Sequence, residues 1–273
     1  EWIGLIDAED LGSVAVTLSA QSMTAYRHRW MDHEIYLHSN LDALALERAA
    51  YYGGRSECWH IGHLPAQRYS LLDVNAMYPS VMASEVYPCR LAWHTRSATV
   101  QDLVRSLAKW AVVARVRVRV TQPVVPVREQ YHTVFPVGTF WTYLTGPDLE
   151  LVLRFGEILD VDEVCMYDTA PLFERFVHDL YALRVKYQAQ GRPLLVKMIK
   201  RMTNSQYGKW GQKREVWKSR PNDGERKPGW RAEFIFGTDG YIYSLCLGPQ
   251  IFERVKVTES HGSFPAISAY VTA

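Results

Sequence analysis

Nothing in this sequence approaches the roughly 20 consecutive apolar residues that a membrane span requires. Its start, Glu1-Trp2-Ile3, has neither the basic stretch nor the apolar core of a secretory signal. Both absences point to an intracellular protein with no membrane partner. Cysteine is scarce: the 4 residues Cys58, Cys89, Cys165 and Cys246 lie far apart, without the paired spacings of a disulfide framework or a zinc site, so reduced thiols are expected. Cys58-x-His60-x-x-His63 crowds three donors together without a fourth and is not read as a zinc site. There is no nucleophile elbow, P-loop or dinucleotide fingerprint, which sets aside the chemistries those motifs serve.

What is present describes a folded protein. Hydrophobic residues make up 48% of the 273 and charged ones 22%, the balance of a soluble globular chain long enough for one large or two modest domains. The net charge of +2 hides an uneven distribution: Asp148 to Asp179 holds nine acids and two bases, whereas Arg184 to Arg220 holds eleven bases and one acid, Glu215. A basic block beside an acidic one suits a polyanion, though it equally describes two solvated faces.

Local patterns supply the elements. Asn40 is placed to cap a helix over Leu41 to Ala50, which Gly53-Gly54 breaks just after Tyr51-Tyr52. Tyr69 to Val74 reads as a buried strand whose apolar run ends at Asp73, and Pro79 then turns the chain or starts a helix. Val113 to Val120 alternates as a strand, with Arg115, Arg117 and Arg119 on a solvated face. Pro171 to about Gln188 reads as an amphipathic helix, Gly191-Arg192-Pro193 as a tight turn, and the residues on to Tyr207 as a second helix, giving an antiparallel helical hairpin. The polar stretch Arg214 to Gly240, with Pro221-Asn222-Asp223-Gly224 and Lys227-Pro228-Gly229 as turn signals, reads as a loop or hairpin excursion.

The second helix of the hairpin carries the chemistry. Lys197, Lys200, Asn204 and Tyr207 follow one another at helical steps, so two ammonium groups, an amide and a phenol share one face. Lysine neutralises phosphates and an aromatic ring offers a platform to a base, so the face suits a nucleoside triphosphate; the plainer reading is an exposed basic helix.

Lys200-Arg201-Met202-Thr203-Asn204-Ser205-Gln206-Tyr207-Gly208 matches K-x-x-x-N-S-x-Y-G and resembles the fingers motif of family B DNA polymerases. Leu71-Leu72-Asp73-Val74-Asn75-Ala76-Met77-Tyr78-Pro79-Ser80 resembles the first palm motif of that family, and Tyr51-Tyr52-Gly53-Gly54 its Y-x-G-G segment, which contacts the template. The resemblance implies deoxynucleotidyl transfer from a dNTP to a DNA 3′-hydroxyl through two Mg2+ ions. It implies Asp73 and the Val74 carbonyl as metal ligands, with Asp73 and Lys200 as the catalytic pair. Lys200 would grip the triphosphate, with Lys186 and Lys197 as further cations. Asn75, Asn204 and Tyr207 would line the nucleotide pocket, and Tyr78 would lie under the sugar. Tyr51, Gly53, Gly54, Ser205 and Gly208 would meet DNA.

Three lookalikes are set aside. Asp7-Ala8-Glu9 mimics an exonuclease motif but stands too near Asp73 for an exonuclease domain to intervene. Tyr167-Asp168-Thr169 resembles part of Y-x-D-T-D-S, the third polymerase motif, yet precedes the fingers and lacks its second acid. Thr238-Asp239-Gly240 also has a single acid and reads as a turn. Asp10-Leu11-Gly12 and Ala25 to Met31 instead resemble the stretch joining exonuclease to palm in viral and phage relatives. Gly262 to Ala273 resembles the start of a palm helix, so the exonuclease is expected upstream, and the third motif and thumb downstream.

The expected fold is α+β: a partial palm of antiparallel sheet with flanking helices, plus a helical-hairpin fingers module. The expected divisions are a linker region over 1–50, the first part of the palm with an insertion over 51–168, fingers over 169–212, and an insertion leading into a palm helix over 213–273. Within the family the chain looks most similar to the phage, viral and linear-plasmid branch, working in the cytoplasm of a host. Its partners would be primer-template DNA, dNTP and, in the protein-primed members, a terminal protein primer. The stretches Val86 to Asp168 and Lys213 to Ser263 are long enough for that branch's insertions. Alone, the chain is expected to bind DNA weakly without extending primers. The alternative is a non-catalytic nucleic-acid-binding module or one subunit of a split polymerase.

Overall fold

The computed structural model describes residues 1–130, 132–224, 226–234 and 241–273. It divides into two units, Glu1–Gly211 with Phe264–Ala273, and Gln212–Ser263. Among the described residues no helix is long and apolar enough to cross a membrane, and the four cysteines are free.

In the first unit, helices α1 (Trp2–Ala8) and α2 (Leu18–Ala25) lead into a π-helical turn over Tyr26–Trp30. Helix α3 (Leu41–Ala50) starts as the sequence dictates: the Asn40 side chain accepts from the Asp42 and Ala43 amides, both at 3.1 Å, satisfying donors that the first turn leaves unpaired. Helix α4 (Met77–Ser84) follows. Then come β1 (Tyr87–Thr95), α5 (Val100–Leu107), β2 (Ala111–Val120), the short β3 (Val127–Glu129) and β4 (His132–Val134), β5 (Gly138–Thr145), α6 (Gly146–Phe155) and β6 (Gly156–Ala170). The hairpin is α7 (Glu174–Ala189) and α8 (Pro193–Trp210).

Strands β1, β6, β2 and β5 form an antiparallel sheet in the order β1-β6-β2-β5, and β3 pairs with β4. The alternation read from β2 holds. Val116, Val118 and Val120 are buried with Leu103 of α5 and Leu149 and Val152 of α6, while Arg117 and Arg119 face solvent. Arg115 and Arg119 pair with Asp162 and Glu157 of β6, exposed contacts worth at most about 1 kcal/mol each.

A second core joins the N-terminal segment to the hairpin. Tyr26 sits at its centre, fully buried, with Phe173, Phe176 and Trp210 at ring-centroid distances of 5.5, 5.7 and 6.0 Å. Its hydroxyl donates to the Leu172 carbonyl at 3.0 Å, so a buried polar group is satisfied where the rings would otherwise strand it. Helices α7 and α8 form the antiparallel pair that the sequence predicts, joined by Gly191 at φ +67°, a conformation that glycine adopts without cost. Helix α9 (Pro265–Thr272) completes this unit, held to α8 by the Ser268 hydroxyl, which donates to the Tyr207 carbonyl at 2.6 Å.

Two expectations fail. Tyr69 to Val74 is not a buried strand: it has no regular structure, and Leu71, Leu72 and Val74 are exposed, Leu71 fully. A strand needs a ladder partner to satisfy its backbone, and no strand among the described residues pairs with this segment. Nor is the region after Arg214 a loop or lone hairpin. The second unit is a four-stranded antiparallel sheet of β7 (Lys213–Pro221), β8 (Gly229–Phe234), β9 (Tyr241–Leu247) and β10 (Gln250–Glu259) in the order β7-β10-β9-β8. Polar side chains mask its strands in the sequence because they pair across the ladder, Arg254 with Glu215 at 2.6 Å and Arg220 with Glu253 at 3.2 Å. Thr238-Asp239-Gly240 lies outside the described residues.

Candidate functional site

Helix α8 divides cleanly into two faces. Leu195, Ile199, Met202, Gln206 and Trp210 are buried, and Gln206 accepts a hydrogen bond from the Ser22 hydroxyl at 2.6 Å. The other face presents Lys197, Lys200, Asn204, Tyr207 and Gly208. This split follows from the 3.6-residue period: apolar residues anchor one stripe and leave the polar stripe outside.

Lys200 and Asn204 open onto a groove of about 520 Å³ enclosed by α4, α7 and α8. Asn75, Ala76, Pro79 and Ser80 form its wall on the α4 side; Val177, His178, Tyr181 and Arg184 form the α7 side. Among the described residues, no acidic side chain lines it. Lys200, Arg184 and His178 therefore face an apolar floor, and among the described residues Lys200 and Arg184 have no ion-pair partner. That electrostatic arrangement favours an anion with a nonpolar part. Ala76, which precedes α4, holds φ +53° and ψ +43°, and no side chain caps the helix. The left-handed turn swings Asn75 toward the groove and leaves first-turn amides of α4 without a side-chain partner.

Beside the groove, three tyrosines gather from the three stretches that carry the resemblance. The rings of Tyr78 and Tyr207 lie 4.8 Å apart at 32°. Burial, then the neighbouring Tyr78 and Tyr51 hydroxyls, push the Tyr207 phenol above its ordinary value. Burial likewise raises Tyr51, against the opposing charge of Arg48. Gly53 ends the turn at φ +82°, and Gly54 lies so close to the Tyr78 hydroxyl that no side chain fits between them. Arg128 donates to the Tyr51 carbonyl at 2.7 Å, and the Tyr52 hydroxyl lies 3.1 Å from that of Thr142, fixing this segment to the first sheet. A second cavity, of about 370 Å³, lies on this side of Tyr78, lined in part by Tyr52, Gly53, Gly54, Phe135 and Thr272.

The structure does not bring every expected residue to the groove. Lys197 is exposed but outside its lining. The Lys186 ammonium is committed to Glu9 at 2.7 Å, on the far side of α7. Arg184 takes the position that Lys186 was expected to fill. The sequence signal was the helical phase: Val177, Tyr181 and Arg184 fall at steps of four and three, a face that excludes residue 186. Ser205 donates back to the Met202 carbonyl at 3.1 Å. Gly208 faces open space, with nothing within 4 Å of where a Cβ would stand.

Asp73 is exposed, and among the described residues its carboxylate has no hydrogen-bond or ion-pair partner; Val74 follows it at the surface. Among the described residues, no three His, Cys, Asp or Glu side chains cluster as a metal site. One free carboxylate and a carbonyl are a partial donor set and do not by themselves fit two divalent ions, which need several oxygen ligands held together. The lookalikes have structural roles: Tyr167 is buried and donates to Glu47 at 2.8 Å, Asp168 pairs with Arg90 at 2.5 Å, and Glu9 holds Lys186.

Residues 13–222 match the model of the family described as DNA polymerase type B, organellar and viral. Among solved structures, the chain is similar to Phi29 DNA polymerase complexed with single-stranded DNA, at 14% identity and a TM-score of 0.62 over 98% of this chain and 44% of that one. It is similar to the same polymerase complexed with primer-template DNA and incoming nucleotide substrates, at 15% identity and a TM-score of 0.62 over 100% of this chain and 46% of that one. The post-translocation binary complex with primer-template DNA gives 16% identity and a TM-score of 0.59. The chain thus spans less than half the length of these structures, and at these identities the likeness is one of fold. No curated protein sequence matches it.

Proposed function

The chain belongs to the type B DNA polymerases, organellar and viral, and we propose that the groove between α4, α7 and α8 receives the triphosphate of an incoming deoxynucleotide during template-directed DNA synthesis. The observation that carries this reading is the meeting of Lys200, Asn204 and Arg184 with the Asn75–Ser80 turn around one cavity that no acidic side chain among the described residues lines. In this reading Lys200 and Arg184 neutralise phosphate charge, and the α4 amides add hydrogen bonds. The Tyr78 and Tyr207 rings, packed together beside Gly54, form a wall against the sugar and base.

The Phi29 complexes hold primer-template DNA and incoming nucleotides, and we extend both partners to this chain. Gly53, Gly54 and Gly208 would then offer backbone to the template and primer, since Gly208 has open space in place of a protein neighbour. A terminal protein primer, and work in the cytoplasm of a host cell, follow from likeness to the phage branch. Divalent ions are a family requirement. Asp73 would contribute one carboxylate and Val74 one carbonyl, but the described residues do not complete a two-ion site, so no catalytic step is derived through it. The same shortfall favours nucleotide and DNA binding without primer extension for this chain alone. The test is equilibrium binding of the fluorescent nucleotide mant-dATP in Mg2+. Lys200→Ala should weaken it about tenfold, the usual scale for one charge-assisted contact, and Lys197→Ala much less. Equal effects would refute the assignment.

A further inference from the structure

We propose that Glu9 is a positioning residue for this groove: by holding Lys186 and Tyr187 it fixes the rotation of α7 that turns Arg184 toward the phosphates. The inference rests on the nucleotide reading above. Glu9 Oε1 accepts from Lys186 Nζ at 2.7 Å and from the Tyr187 hydroxyl at 2.5 Å. The carboxylate is itself pinned, since the Glu9 side chain is 11% exposed and its carbonyl accepts from Arg29 at 2.5 Å.

Helical geometry turns this anchor into a constraint on the groove. Each residue advances the helix by about 100°, so Lys186 lies about 200° round from Arg184, on the opposite side of α7. Holding residue 186 on one side therefore sets the azimuth of residue 184 on the other. Other contacts brace α7 nearer its start. Arg175 donates to both oxygens of Asp32 at 2.7 Å, and Trp30 Nε1 donates to Asp179 at 2.8 Å. Beyond Asp179 the buried Leu180 and Tyr187 share a core with Leu5, Ile6 and Leu11, and among the described residues the polar tie to the N-terminal segment besides Glu9 is Arg192 with Glu1 at 3.6 Å, an exposed pair of little strength. Glu9 is thus the strong polar contact at the end of α7 that carries Arg184. Burial works against an ionised Glu9, but the Lys186 and Tyr187 bonds and the charges of Lys186 and Arg29 outweigh it and hold the carboxyl below its usual range.

The experiment is a double-mutant cycle on the full chain, with mant-dATP and Mg2+ as the probe. Arg184→Ala should weaken binding about tenfold and Glu9→Ala several-fold, and the double variant should bind no more weakly than Arg184→Ala alone. Glu9→Gln, which still accepts one hydrogen bond, should fall between Glu9→Ala and the unsubstituted chain. Amide exchange over residues 181–190 should accelerate in Glu9→Ala while β2 is unchanged. Unaltered affinity in Glu9→Ala, or losses that simply add in the double variant, would overturn the proposal. Failure of the unsubstituted chain to bind mant-dATP would overturn the nucleotide reading. Exchange over 181–190 would still decide whether Glu9 sets α7, and unchanged exchange would reject that too.

Discussion

Gly54→Ala tests whether the Y-x-G-G segment and the Tyr78 turn meet as described. A Cβ on Gly54 would intrude on the Tyr78 hydroxyl, while the Tyr78 Cζ would stand at an ordinary 3.5 Å. The conflict is therefore with a single oxygen atom. Tyr78 cannot swing away freely, because its ring lies 4.8 Å from that of Tyr207. Breaking a ring contact of this kind costs about 0.5–1.5 kcal/mol, and local overpacking brings the expected total to about 1–3 kcal/mol. Tyr78→Phe removes the one atom in conflict. In that background Gly54→Ala should cost less than about 0.5 kcal/mol, so urea unfolding of the four proteins should give a coupling of at least about 0.5 kcal/mol. Equal cost in both backgrounds would show that Gly54 and Tyr78 do not touch, and the account of this site would fall with it.

Three further outcomes follow from the same geometry. Gly156→Ala would press a Cβ onto the Arg119 carbonyl, with Arg119 C and Val120 Cα both at 2.9 Å; backbone cannot yield as a side chain does, so calorimetry should show a loss of more than about 3 kcal/mol. Ala76→Gly relieves a left-handed residue at φ +53° and should stabilise the chain by about 1 kcal/mol in urea unfolding. Glu9 has a folded pKa below its usual 4.5, so its contribution is fully present above that value and lost as pH falls through the folded pKa; the stability gap between the unsubstituted chain and Glu9→Gln in urea unfolding should be largest above pH 4.5 and shrink as pH falls below it.

The parts of the fold legible in the sequence were those fixed by local chemistry. Asn40 caps α3 because its side chain reaches amides two and three residues on. The β2 alternation and the α7–α8 hairpin needed only period and turn residues. Tyr69 to Val74 was misread because an apolar run records the wish to be buried, while a strand also requires a partner that sequence pattern does not supply. Strands β7 to β10 were hidden for the opposite reason, since their charges answer one another across the sheet and look, along the chain, like a polar loop. At the site, Lys200 and Asn204 were legible from motif and spacing alike. Lys186 was not, because its partner Glu9 lies 177 residues away in sequence. Arg184 was within reach of a stricter reading of the helical phase of α7.

The central claim is that one groove takes the nucleotide, and photolabelling addresses it most directly. With 8-azido-dATP and Mg2+, cross-links mapped by mass spectrometry should fall within residues 75–84, 177–184 and 200–207, and unlabelled dATP should suppress them. Labels confined to other segments, or insensitive to that competition, would contradict the account.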